Sequence, residues 1–307
     1  MSNVDQSISK RLIFAITLTT VTLVAEIIGG LWSNSLALLS DAGHVFLDLF
    51  ALVLSLGAIK LAAQPPNERH SYGWHRAEVL ASLINGLTVL LMAVGILYEG
   101  SKRLIAPEEV QTTPMLVIAV LGLIANLLAA KGLHGHAHDD LNVRSAFLHV
   151  LGDAAASVGV IAGALLMHFT GWYQADPIIS IAIGLLILVG AGRVLREATH
   201  ILMEGVPRGL SVEQVAAQIR GVDGVLDVHH LNIWSVCSHI LALSAHVEIE
   251  PEYNGERSQL LHAIEHKLQH DFHITHTTIQ FDCSACNGGP LIKELSHQQR
   301  GVCEHHH

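Results

Sequence analysis

Charge is scarce in this chain. Asp, Glu, Lys and Arg make up 14% of its 307 residues, while half are hydrophobic. A soluble protein with that balance lacks the polar surface to cover itself, and the mean hydropathy of +0.44 points the same way. Positive charge is the scarcer sign, with 17 Lys and Arg against 27 Asp and Glu. No basic stripe runs along the sequence, which excludes nucleic acid as a partner. The four cysteines are too few for a disulfide framework in a chain this long. Enzymatic signatures are missing as well: there is no His-Glu-x-x-His run and no nucleophile elbow.

What the chain does have is histidine, 22 in all, and long apolar runs. Six segments approach the length of about 20 residues that spans a bilayer: 12–32, 36–62, 78–101, 113–131, 144–169 and 177–202. The first follows Lys10 and Arg11 but is too long for a signal peptide and runs directly into the second, so it reads as a span. Lys10, Arg11, Lys60, Arg69, Arg76, Lys131, Arg144, Arg193 and Arg196 fall at one set of span ends, against Lys102 and Arg103 at the other. The positive-inside rule then predicts cytoplasmic N- and C-termini. A multi-pass protein of the cell (inner) membrane is expected.

After Pro207 the composition becomes that of a mixed soluble sequence. Ser211 with Gln214 resembles a capping box opening a helix to about Arg220. LDVHHLNIWSV and HILALSAHVEIE read as neighbouring strands, 255–271 as a helix, and HITHTTIQFD as a third strand. The expected fold is therefore an all-α, six-helix transmembrane domain over 1–206, then a small α+β (αββαβ) cytosolic domain over 207–290. Residues 291–307 form a tail whose Glu304-His305-His306-His307 end resembles a purification tag.

Two apolar segments carry the same pattern, His-x-x-x-Asp: His44/Asp48 and His149/Asp153. Residues four apart on a helix share one face, so each copy presents an imidazole and a carboxylate together. Two such helices side by side supply two nitrogens and two oxygens, the ligand set of a tetrahedral divalent ion. Ionisable groups at membrane depth are costly and point to function; a mutually satisfied ion-pair network is the alternative. Metal binding needs deprotonated ligands, so metal and protons compete for such a site, and alternate opening to each side would make that competition antiport. Asp41 reads as a cap or interhelical hydrogen-bond partner, and His168 as an interfacial residue. Glu26, Asn85 and Asn126 read as single polar positions that glue helices together.

The soluble part offers His229, His230, His246, Asp282, Cys283 and Cys286 as metal ligands. Strict alternation would pair His230 with Asn232 on the polar face, whereas a bulge at the strand start would turn His229 there instead. Cys283 and Cys286 form a Cys-x-x-Cys thiolate pair, a zinc signal only with two further ligands; Cys237 reads as a small buried hydrophobe. His134, His136 and His138 alternate through a Gly/Ala context that suits weak, exchangeable metal capture, or simply a solvated loop.

The runs SNSLALLSDAGHVFLD, HSYGWHRAE, HVLGDAAAS and HHLNIWSV…SAHVEI, in that order, resemble the cation diffusion facilitator family, and its zinc-transporting branch most closely. The resemblance implies a homodimer with six helices per protomer in a lipid bilayer, a cytosolic metal-binding domain, and export of Zn2+ from the cytosol in exchange for protons. It implies His44, Asp48, His149 and Asp153 as transport ligands, and His229, His246 and Asp282 as a cytosolic cluster. Relatives with Asp in place of His44 tend to accept cadmium as readily as zinc, so His44 resembles the more zinc-selective pattern. Some relatives bind metal in the PPNERHSYGWHRAE loop through an Asp and two His. Here Asn67 stands for the acid and Trp74 for the second His, leaving His70 with His75 shifted by one. Arg76 with Glu204 resembles a charge pair between the third and sixth helices. A membrane metalloenzyme, a metal sensor and a channel are the competing classes. The first lacks a catalytic motif, the second needs no ligands at membrane depth, and the third would be blocked by full tetrahedral capture.

Overall fold

A computed structural model describes residues 3–134, 141–237, 239–250, 255–282 and 289–293. Side chains are described over 17–128, 130–131, 151–237, 239–250, 255–282 and 289–293. The chain divides into two compact units, Met1–Gly57 with Ala81–Arg196, and Ala58–Leu80 with Glu197–His307.

The first part of the sequence forms long helices: α1 (Asn3–Ser33), α2 (Leu36–Ala62), α3 (Arg76–Ile105), α4 (Thr112–His134), α5 (Leu141–Thr170) and α6 (Ala175–Leu202). All but α2, which matches its segment, overrun the apolar stretch that marks them, α1 most of all, because a helix once nucleated extends readily into flanking polar turns. Among the described residues, α2, α3, Leu151–Thr170 of α5, and α6 are long and apolar enough to cross a membrane. Thr17–Ser33 of α1 and Thr112–Leu128 of α4 are shorter apolar stretches. Large apolar side chains such as Leu91, Leu186 and Val53 stay exposed along these helices, the pattern of a surface facing lipid.

The turn between α1 and α2 is held from two sides. Asp176, fully buried at the start of α6, accepts from the Leu36 amide at 2.8 Å, the Ala37 amide at 3.1 Å and Ser35 Oγ at 2.6 Å. A carboxylate there satisfies orphan donors of the α2 N-terminus and complements its dipole. Asn34 has φ 55°, a left-handed conformation that Asn tolerates. Arg103 fixes it, donating to the Asn34 carbonyl at 2.7 Å and to Asn34 Oδ1 at 3.1 Å. Below the turn Ala37 and Leu38 pack with Met115, Val160, Ala164 and Met167. Asp176→Ala should destabilise the chain by about 2 kcal/mol, the scale of a lost cap and its unmet donors, seen as a lower unfolding midpoint in detergent.

The second unit holds α7 (Val212–Arg220), β1 (Val225–Cys237), β2 (Ile240–Ile249), α8 (Arg257–Phe272) and β3 (Ile274–Asp282), an α+β arrangement in the expected αββαβ order. Ser211 caps α7, accepting from the Gln214 amide at 3.4 Å. The sheet order is β1-β2-β3; β1 and β2 form an antiparallel pair, whereas β2 and β3 run parallel, joined by α8 as the crossover. Leu243, Ala245 and Val247 alternate into a core with Val215 and Ile219 of α7, and Leu260, Ile264 and Leu268 of α8. The intervening positions, Ser244, His246 and Glu248, therefore share the other face of β2.

Candidate metal centres

In the first unit α2 and α5 bring acid and imidazole together. His44 Nε2 lies 3.7 Å from Asp48 Oδ2, one turn along α2, and 4.0 Å from Asp153 Oδ1 on α5. One ligand atom from each of these three residues falls within 4.8 Å of the other two, a spacing that one ion could draw in. Asp153 is 7% exposed; His44 and Asp48 are half-buried. His149 belongs to α5, four residues before Asp153, and its side chain lies outside the described residues.

The three line a cavity of about 550 Å3 together with Asp41 and Asn85. Asn85, expected to glue helices together, lines this cavity, with its Oδ1 buried and without a hydrogen-bond partner. A lone polar residue in an apolar span carries no sequence signal for which neighbour it will face. Glu26 of α1, read the same way, faces α4. It is 2% exposed, its Oε2 has no partner, and a Cβ at Gly122 of α4 would stand 3.0 Å from its Oε1. Asp41 is buried at 4% exposure. His168 Nδ1 meets Thr112 Oγ1 at 3.0 Å in an exposed position.

In the second unit a β-bulge decides which histidine turns inward. His229 pairs with His246 and Asn232 with Ser244, so β1 carries one extra residue between them. His230 absorbs it with φ 50°. Strict alternation thus fails, and His229 becomes buried at 3% exposure. Its Nε2 lies 3.2 Å from Asp282 Oδ2, which also meets His246 Nδ1 at 2.9 Å. His229, His230 and His246 offer nitrogens within 4.8 Å of one another. The hydrogen bond from His246 holds the Asp282 carboxyl below the usual carboxylate range, so it stays ionised at neutral pH. Partial burial, helped by Lys293, His229 and His246, lowers the His230 pKa and favours its neutral, ligating form. Sequence reasoning left out Glu248, whose Oε1 lies 3.8 Å from His229 Nδ1.

The remaining expectations divide. Arg76 Nη2 donates to Glu204 Oε1 at 2.8 Å, and both residues line a cavity of about 620 Å3 with His230 and His246. At 46% and 59% side-chain exposure, such a pair fixes geometry more than it adds stability. Asn67 Oδ1 accepts from the Arg69 and His70 amides, each at 3.0 Å, so the residue standing for a loop ligand closes a turn instead. The His70 ring stacks against Trp74, with centroids 3.9 Å apart. Cys237 is buried at 2% exposure. His136, His138, Cys283 and Cys286, the side chain of His134, and the tail from 294 lie outside the described residues.

The family described as the cation efflux transmembrane domain matches residues 12–203. That of the cation efflux protein cytoplasmic domain matches residues 207–283. The chain is 39% identical over 301 residues to the "Cadmium, cobalt and zinc/H(+)-K(+) antiporter" of Bacillus subtilis, covering 97% of this chain and 96% of that protein. It is 38% identical over 301 residues to "Zinc transporter ZitB" of Escherichia coli, covering 97% and 95%. To "Metal cation efflux system protein CzcD" of Cupriavidus metallidurans it is 39% identical over 277 residues, covering 90% and 87%. With both halves matched in order, the chain belongs to the cation efflux, or cation diffusion facilitator, family: it is a membrane metal transporter and not an enzyme.

Proposed function

We propose that this chain exports Zn2+ from the cytosol in exchange for protons, by alternating access to an intramembrane site formed by His44, Asp48, His149 and Asp153. One observation carries the reading: ligand atoms of His44, Asp48 and Asp153 converge within 4.8 Å beside a cavity among apolar helices. Two imidazoles and two carboxylates make a borderline ligand set suited to Zn2+. Stripped of metal, the carboxylates are a costly negative cluster at membrane depth, and protons neutralise it on the return step. Proton and metal thus occupy one place in turn.

All six helices span the bilayer with both termini in the cytoplasm. The transport domain covers 1–206 and the cytosolic domain 207–290, with a tail over 291–307. The protein works as a homodimer in the cell membrane. In the cytosolic domain His229, His246 and Asp282 hold a resident Zn2+, with His230, Cys283 and Cys286 as further donors. The fit is supported by the donor chemistry and by an ionised carboxylate between two imidazoles. His134, His136 and His138 collect metal from the cytosol. His70 is a further metal donor in its loop, its ring stacked on Trp74 and its Nδ1 buried without a hydrogen-bond partner.

Proteoliposomes with an internal zinc dye test the reading. Zinc uptake should accelerate several-fold when the lumen is made acidic relative to the outside, because protons leaving the lumen drive metal in. Uptake indifferent to the gradient would refute antiport.

A further inference from the structure

We infer that Glu248 is a positioning residue for the cytosolic cluster, holding the His229 imidazole in the tautomer and orientation that leave Nε2 free to bind metal. The inference rests on the reading of His229, His246 and Asp282 as a metal site. Glu248 follows His246 by two residues on β2, and its register partner on β3 is Asp282. Carboxylates placed opposite each other on neighbouring strands repel. Yet Glu248 is 8% exposed, with little water to screen it. Its β1 register partner, Asp227, is already paired with Arg220 at 2.7 Å.

What faces Glu248 instead is His229. The 3.8 Å between His229 Nδ1 and Glu248 Oε1 is too long for a hydrogen bond, and both atoms are buried without a hydrogen-bond partner. Buried polar atoms left unmatched in this way are rare and call for a reason. The opposite nitrogen of the same ring supplies one: Nε2 is 3.2 Å from Asp282 Oδ2 in the cluster. A neutral imidazole carries one proton. If Nδ1–H donates to Glu248, the Nε2 lone pair is turned towards Asp282 and His246. A cation at Nε2 makes Nδ1–H a better donor, and closing about an ångström completes the bond. A carboxylate behind a ligating histidine is the usual way such a ring is oriented.

The test uses the full-length chain in detergent with Asp48→Ala and Asp153→Ala removing the membrane site. Glu248→Leu should weaken Zn2+ binding 10–100-fold, the range for outer-shell partners, and Glu248→Gln, which keeps an acceptor oxygen, should stay within about threefold of the parent. Because the contact is unmade without metal, Glu248→Leu should leave the metal-free Tm unchanged or raise it, while the zinc-induced rise shrinks. Unaltered zinc affinity in Glu248→Leu, a Gln variant as weak as Leu, or a metal-free Tm that falls alongside affinity would each overturn the inference. His246→Ala separates the two readings. If it binds zinc as the parent does, the cytosolic site itself fails; if it loses zinc while Glu248→Leu does not, only the positioning role fails.

Discussion

Asp153→Ala is expected to lower zinc uptake into proteoliposomes by at least about 100-fold, since even outer-shell partners of a metal ligand are worth 10–100-fold. Asp153 is the more buried of the two carboxylates and the one that reaches across from α5 to His44 on α2. Its removal takes away a proposed ligand and also the charge that would make a divalent ion welcome in a low-dielectric place. Asp153→Asn keeps the shape and loses the charge, so it should fail nearly as badly. The control is the cytosolic cluster, which should still bind zinc in both variants. Robust uptake by Asp153→Ala would remove the α2–α5 site from the mechanism.

His44→Asp should raise the ratio of cadmium to zinc uptake by about tenfold, equivalent to roughly 1.4 kcal/mol between the two ions. An imidazole offers one nitrogen along one direction, which suits tetrahedral Zn2+. A carboxylate binds through one oxygen or two, and so lets the site expand around a larger ion. Half-buried at the cavity, His44 has room for that change. The relative in Bacillus subtilis is named for cadmium and cobalt as well as zinc, so parallel cadmium and zinc assays on the parent chain set the baseline. A variant with an unchanged ratio would strip His44 of its role in selection.

Much of this architecture was legible from residues alone, and the reasons differ by element. Apolar runs broken at Asn34-Ser35 and Pro65-Pro66 mark helices because backbone groups in lipid must be satisfied within the segment. The alternation of Leu243, Ala245 and Val247 gave β2 its buried face. The His-x-x-x-Asp spacing needed only helical geometry to place His44 beside Asp48. What escaped were contacts between partners far apart in sequence that no motif marks. Asp176 sits 140 positions from the Leu36 amide it receives, and no local pattern announces that bond. Asn85 and Glu248 looked like an isolated amide and an ordinary strand carboxylate until α2 and β1 were set beside them. The bulge at His230 was only half visible. Two adjacent histidines permit it, but the register of β2 decides it.

The parallel pairing of β2 with β3 has a consequence in time. His229 and His246 lie on strands that can pair as a hairpin as soon as both have left the ribosome, whereas Asp282 ends β3, after the α8 crossover. At about 5–20 residues per second, the hairpin waits some seconds for its third partner. During that wait two histidines stand in the cytosol without the carboxylate that joins them. Everything up to Asp282 must therefore be synthesised before this cluster can close. Any premature stop upstream of Asp282 leaves this unit unable to complete either its sheet or the cluster of His229, His246 and Asp282.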